Sequence, residues 1–369
     1  MLLLTLISKP LFFAAGLFGI GFLITLHEIG HFVFCKLFNV SVPSFGLGFG
    51  PILWQKKIGE TNFIISAIPL GGYVEMAGSA EVGQGDQKEA SRDDERSLVQ
   101  KPYWQKMCIM FGGVFLNFVF AYAAMIFVLA LGAPGTPMLP ETLTNRIEKV
   151  ELNSPADKAG ITKDDKVVAL NNVPFDLKNP QLFFDNLKTL AGTTTTISID
   201  HEGTIKERSI TFEPNKTVGM LGVIFATQAL APRPFLQAIK EGVELTNKYI
   251  LNTVLFIKQL FTRRSLEGTG GPVGIIAATT ASAQQGFKVY LLLLAVISIN
   301  LAVLNLLPLP ILDGGQALFY TIEAIIRRRL PDNIKLGIHI ACWALFLLLT
   351  VYLTYFDIKR IILSFLCGA

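Results

Sequence analysis

The chain has 369 residues, of which 51% are hydrophobic and 16% charged, and its mean hydropathy is +0.50. Soluble domains carry about 25% charged residues, so this composition excludes a purely soluble protein and points to a polytopic membrane protein with at least one polar domain. The net charge of +4 is small and its basic residues are scattered, which argues against nucleic acid as a partner.

The first apolar segment, Leu11 to Phe34, is long enough to cross about 30 Å of hydrocarbon. Lys9 ahead of it imitates a signal peptide, but cleavage would unseat the residues at its far end, so 1–36 reads as a retained span. Those residues are His27-Glu28-Ile29-Gly30-His31. A helix puts residues four apart on one face, so His27 and His31 can grip one metal ion, with Glu28 beside it to deprotonate a metal-bound water. Chance plus core packing is the bland alternative. It is disfavoured because three ionisable groups inside a bilayer are expensive without a partner.

Residues 37–103 read as a membrane-associated β region, within the membrane or at its inner face, together with a charged loop from Gly78 to Lys101 that reads as solvated and mobile. Within it, Gly46, Gly48, Gly50 and Pro51 make a turn-rich stretch, and Thr61 to Ile68 is β-branched and apolar. A strand there with a free edge would hold an extended peptide by main-chain hydrogen bonds; an ordinary hairpin is the alternative reading. The second span is expected over 104–134, since no charge occurs between Met107 and Glu141.

Residues 140–228 read as a separate polar domain of strands and short helices, with a hairpin about Glu202-Gly203 that makes His201 an ordinary strand histidine. Residues 235–285 read as an amphipathic helix on the outer membrane surface, followed by a Gly-, Ala- and Thr-rich loop over 268–283. The third span, 288–315, runs through Asn305-Leu306-Leu307-Pro308-Leu309-Pro310-Ile311-Leu312-Asp313-Gly314-Gly315. Two prolines break a helix at membrane depth, which is tolerated where the backbone lines a cavity. The fourth span is 335–357, where His339 reads as a packing or interfacial histidine. Cys35, Cys108, Cys342 and Cys367, with no CxxC among them, read as inert thiols.

Basic residues flank the first loop (Lys36, Lys101, Lys106) and fill the last one (Arg327, Arg328, Arg329, Lys335). The positive-inside rule makes these loops cytoplasmic and places both termini and the polar domain outside. Spans one and three then run in the same direction, so Asp313 reaches the depth of His27 and His31, where zinc with two histidines still lacks a third protein ligand.

These motifs together resemble the site-2 protease family of zinc intramembrane proteases, on its bacterial regulator-of-sigma-E branch, over nearly the whole length. The matching stretches are His27-Glu28-xx-His31, Asn305-xx-Pro308-x-Pro310-x-Leu312-Asp313-Gly314, Gly48-Phe49-Gly50-Pro51, Pro69-Leu70-Gly71-Gly72-Tyr73 and Gly271-Pro272-Val273-Gly274-Ile275. Residues 147–173 are similar to a PDZ domain around Ser154-Pro155-Ala156 and Ala159-Gly160. The chain departs from the pattern in showing one PDZ domain rather than two. It also has Phe111-Gly112-Gly113-Val114 without the usual proline, although Asn117 is kept, and it has Asp164-Asp165 at the PDZ turn.

The resemblance implies a polytopic α-helical fold of four transmembrane helices, a membrane-associated β region and one inserted extracytoplasmic PDZ domain. It implies one zinc ion per chain on His27, His31 and Asp313, Glu28 as the catalytic base, and substrate contacts at Asn305, Gly48, Gly50, Phe63, Ile64 and Ile65. The implied setting is the bacterial inner membrane, with membrane lipid around the spans. The implied substrates are single-span membrane proteins trimmed beforehand, such as anti-sigma factors, or signal-peptide remnants; a peptide or substrate ectodomain would meet the PDZ domain. A catalytically idle PDZ-bearing scaffold would need neither Glu28 nor Asp313. A metal transporter would need further ligands, of which span two has none and span four only His339.

Overall fold

The computed structural model describes residues 2–79, 93–177, 180–212, 221–263 and 270–366, which divide into a membrane unit (1–127 and 238–369) and a polar unit (128–237). The membrane unit opens with α1 (Leu2–Leu37), whose final three turns hold the histidine motif. β1 (Ser44–Ile58) and β2 (Thr61–Val74) follow as one small sheet, then α2 (Tyr103–Ala130). In the sheet, Phe45 stands opposite both Phe63 and Val74, while Phe63 stands opposite both Phe45 and Lys56. The 62–65 segment is therefore an interior strand, flanked by 44–47 and by 54–57.

This corrects the expectation of a free edge over 61–68. The long β1 wraps so that its two halves cover both sides of Phe63, Ile64 and Ile65. The charged loop also departs from expectation over its described part, 93–101. Ser97 and Leu98 are fully buried, and the Arg96 guanidinium pairs with Glu60, which also holds Lys36 at 2.5 Å. Partial burial alone would raise the Glu60 carboxyl, but the hydrogen bonds from Lys36 and Arg96 hold it below the usual carboxylate range. The remainder of that loop, 80–92, lies outside the described residues.

The polar unit contains β3 (Leu143–Val150), α3 (Pro155–Lys158), β4 (Lys166–Leu170), β5 (Val173–Pro174), α4 (Pro180–Thr189), β6 (Thr194–His201), β7 (Thr204–Thr211) and β8 (Val223–Thr227). Its sheet runs in the order β7-β6-β4-β3-β8, with β5 paired to β4. Alternation along the strands sends Ile147, Val167, Ile197, Ile199, Ile210 and Phe225 into one core with Phe183 of α4. Ser154 caps α3, its hydroxyl accepting from the Asp157 N–H, with Pro155 at the first helical position.

The chain returns to the membrane unit through α5 (Phe235–Arg263), then α6 (Pro272–Gln285), α7 (Phe287–Asn305), α8 (Asp313–Ile326) and α9 (Asp332–Leu366). Among the described residues, four helices are long and apolar enough to cross a membrane: Pro10–Leu37, Tyr103–Ala130, Phe287–Asn305 and Asn333–Arg360. Two expectations change here. The Gly/Ala/Thr-rich stretch is a helix rather than a loop from Pro272 onward, because Pro272 starts it and alanine carries it. The third span ends at Asn305, ten residues before the expected Gly315, because Pro308 and Pro310 cannot continue a helix; Asp313 then begins a new one. Among the described residues, Cys35, Cys108 and Cys342 form no disulfide, and Cys367 lies outside the described residues.

Candidate metal centre

His27 and His31 stand one turn apart on the buried face of α1, 7% and 5% exposed. Their Nε2 atoms are 3.1 Å apart. Asp313, delivered by the start of α8, sets Oδ2 3.1 Å from His27 Nε2 and Oδ1 3.4 Å from His31 Nε2. Two ligands each about 2 Å from one tetrahedral ion must stand roughly 3.3 Å from each other. All three separations in this cluster are close to that spacing, the two from Asp313 being made by its two different oxygens. Among the described residues it is also the one group of three such side chains whose ligand atoms lie within 4.8 Å of one another.

The surroundings fix the chemistry of the rings. His31 Nδ1 lies 2.8 Å from the Ile109 carbonyl of α2, which can only accept, so Nδ1 carries the proton and donates. Nε2 then presents its lone pair to the cluster. His27 Nδ1 is 3.2 Å from the side-chain amide of Asn117, fully buried on α2. The atom placed there is Nδ2, while Oδ1 is buried with no partner among the described residues; exchanging the two by a half-turn of the amide lets Oδ1 accept from Nδ1–H and gives His27 the same tautomer. Two bare imidazole nitrogens and a carboxylate so close together repel unless a cation sits among them. Asp313 Oδ2, buried and without a hydrogen-bond donor among the described residues, points the same way. The donor set, two imidazoles and one carboxylate, suits zinc.

Backbone contact sets the spacing. Gly30 of α1 meets Gly112 of α2 with main chain against main chain. A Cβ on Gly113 would fall 2.6 Å from His27 Cε1 and from His31 Nε2. On the other side of the motif, a Cβ on Gly72 of β2 would lie 3.0 Å from the Glu28 Cγ, so the outer end of the sheet rests on the half-buried glutamate. Asn305, the last residue of α7, sets Nδ2 3.4 Å from His27 Nε2.

His27, Glu28, His31, Asn305 and Asp313 thus converge, as the motif spacing anticipates. Gly48 and Gly50 do not join them; with φ of +78° and +88° they bend β1 where the sheet turns. Phe63, Ile64 and Ile65 lie inside the sheet, flanked on both sides. Sequence reasoning missed the Ile109 carbonyl. Gly72 was visible only as part of a matched stretch, and Gly113 and Asn117 only as residues of a disturbed motif, none with a role at the histidines.

A family model described as peptidase family M50 matches residues 15–349. The chain belongs to that family. A protein of Campylobacter jejuni named "putative zinc metalloprotease" is 31% identical over 95% of this chain and 94% of its own length. Proteins of the same name from Clostridium acetobutylicum, 31% identical over 93% of this chain, and Clostridium perfringens, 30% identical over 93%, span 96% and 97% of theirs. This M50 peptidase is a membrane-embedded metalloprotease, and its cofactor is zinc.

Proposed function

We propose that the protein is a zinc-dependent intramembrane endopeptidase that cleaves single-span membrane proteins within their transmembrane segments. The observation that carries this reading is the cluster of His27 Nε2, His31 Nε2 and the two Asp313 carboxylate oxygens, with separations of 3.1, 3.1 and 3.4 Å, inside the membrane unit. His27, His31 and Asp313 would hold the zinc. Bound there, zinc polarises the scissile carbonyl and lowers the pKa of water to about 7.

The chain's own groups do the rest. Glu28, next to His27 on α1, takes the proton of the attacking water and delivers it to the leaving amine. Asn117 and the Ile109 carbonyl hold the imidazoles in the tautomer that binds metal. Asn305 steadies substrate backbone beside His27. A substrate helix hides its peptide bonds in i to i−4 hydrogen bonds, so it must unwind before attack. The 72–74 edge of the sheet, where Gly72 rests on Glu28, offers the unwound segment main-chain partners.

The polar unit, read as a PDZ domain outside the membrane, excludes bulky ectodomains or binds a newly made C-terminus. Substrates are then proteins already trimmed by another protease, such as anti-sigma factors. The basic residues of the first and last loops support cytoplasmic loops and extracytoplasmic termini in a bacterial inner membrane.

The test is cleavage of a single-span substrate by the detergent-solubilised protein and its Glu28→Gln variant, with zinc content measured in both. Cleavage down about 10²–10⁴-fold with zinc retained is expected. Equal cleavage by the two proteins would remove Glu28, and this site, from the reaction.

A further inference from the structure

The far end of α8 carries a second constellation that the protease chemistry does not use. A cavity of about 270 Å³ is lined there by Lys106 and Tyr103 of α2 and by Arg327, Arg328 and Arg329. Consecutive residues of a helix point about 100° apart and cannot all face one cavity. Here the chain leaves α8 at Arg327 with φ +55° and ψ 29°, a left-handed conformation that side chains other than glycine rarely adopt. That turn is what brings three successive arginines to one wall.

The cavity is short of negative charge. Its lining holds four cations and one carboxylate, Glu323, a balance of +4 − 1 = +3. Glu323 is already engaged, accepting from Lys335 at 2.6 Å and from the Leu330 N–H at 2.9 Å. Arg329 reaches Asp93 at 3.2 Å, but both side chains are more than half exposed, so that pair neutralises little. The Lys106 amine donates to the Val99 carbonyl at 2.8 Å and sits 5.3 Å over the Tyr320 ring, neither of which supplies a negative charge. Among the described residues, Arg327 and Arg328 have no acidic partner. Mere topology-setting charge would not need to be gathered into a cavity.

Position selects the anion. Tyr103 is the first residue of the candidate span on α2, Asn333 opens the one on α9, and exposed Trp104 adjoins Tyr103 as interfacial aromatics do. The cavity therefore lies at headgroup level. Basic pockets between membrane helices take anionic headgroups, guanidinium groups gripping phosphate oxygens bidentately. We infer that this cavity is a binding site for the phosphate of an anionic phospholipid, held by Arg327, Arg328 and Lys106.

The test uses the full-length, detergent-solubilised protein, with bound lipid counted by native mass spectrometry during titration with phosphatidylglycerol or phosphatidylcholine. Wild type should retain one phosphatidylglycerol in preference to phosphatidylcholine. Arg327→Gln/Arg328→Gln should lose roughly tenfold or more of that preference. Arg328→Gln alone leaves the left-handed residue untouched and should show a smaller loss in the same direction. Lys56→Gln/Lys57→Gln, which removes two exposed charges from β1, should leave the preference unchanged. Equal retention of the two lipids by wild type, or an equal loss in the β1 variant, would overturn the inference. Displacement of phosphatidylglycerol by an equal concentration of inorganic phosphate would overturn the lipid as the source of the anion.

Discussion

In the polar unit His201 Nδ1 meets Asp165 Oδ1 at 2.5 Å; in the membrane unit His27 and His31 meet Asp313 at 3.1 and 3.4 Å. The same two residue types give opposite arrangements. Asp165 is saturated with donors, its second oxygen accepting from the Thr162 N–H at 2.8 Å and hydroxyl at 3.1 Å. That carboxylate ties strand β6 to the turn before β4 and has no lone pair directed at a shared point. In the membrane unit each imidazole spends Nδ1 elsewhere, on Ile109 or Asn117, and turns Nε2 inward. What separates a metal site from a structural ion pair is therefore which atoms the neighbours occupy, more than the nearness of His to Asp.

The contrast is tested most sharply by removing one imidazole from each region. His31→Ala should abolish both bound zinc and cleavage, whereas His201→Ala should leave zinc content unchanged. Zinc retained at full stoichiometry in His31→Ala would contradict the ligand set. Gly113→Ala should come next. Its methyl would press on both rings at 2.6 Å, and displacement of reacting groups by about 1 Å costs on the order of 10²-fold in rate. Wild-type turnover in this variant would mean that α2 does not set the ring positions.

Asn117→Ala should weaken zinc affinity about 10–100-fold, read by competition with a chelator, and Asn117→Asp should recover much of it by accepting from Nδ1. Failure of aspartate to rescue would argue against the tautomer role. The smallest effect belongs to the pair that holds no metal. Burial alone would raise the Asp165 carboxyl, but Thr162 and His201 hold it below the usual range, so folding favours the ionised form. That contribution is fully present above the unfolded carboxyl pKa of about 3.9 and is lost as pH falls through the lower folded value. Asp165→Asn should cost about 1–3 kcal/mol at neutral pH, seen as faster hydrogen exchange in β6. The gap should close in acid; a gap that stayed constant to pH 3 would refute the linkage.

The convergence of His27 and His31 was legible because their spacing is local. His27 and His31 are four residues apart on a helix, and an apolar segment makes their polarity conspicuous. Asp313 was legible only through an expectation, the span directions that charge bias implies. The pairing of β2 was not, since Phe45 and Lys56 reach Phe63 from either side only after β1 has folded over it. Nor was the Ile109 carbonyl, because a backbone acceptor 78 positions away leaves no mark in the residue types. The α6 helix did carry a signal in Pro272 at its first position, outweighed in the reading by its glycines and threonines. Arg327, Arg328 and Arg329 read correctly as charge beside a span, but a left-handed residue that gathers them cannot be seen in three identical letters.

The contact of Gly30 with Gly112 makes one more demand on the molecule. Where side chains separate two helices, their distance drifts with every change of rotamer or residue. Where main chain touches main chain, the distance is as stiff as the peptide planes themselves. The imidazoles sit within one turn of that contact on α1, so their spacing from α2 is inherited from covalent geometry. The lipid-facing sides of both helices are then free to change, for membranes of other thickness or composition, without retuning the ligands.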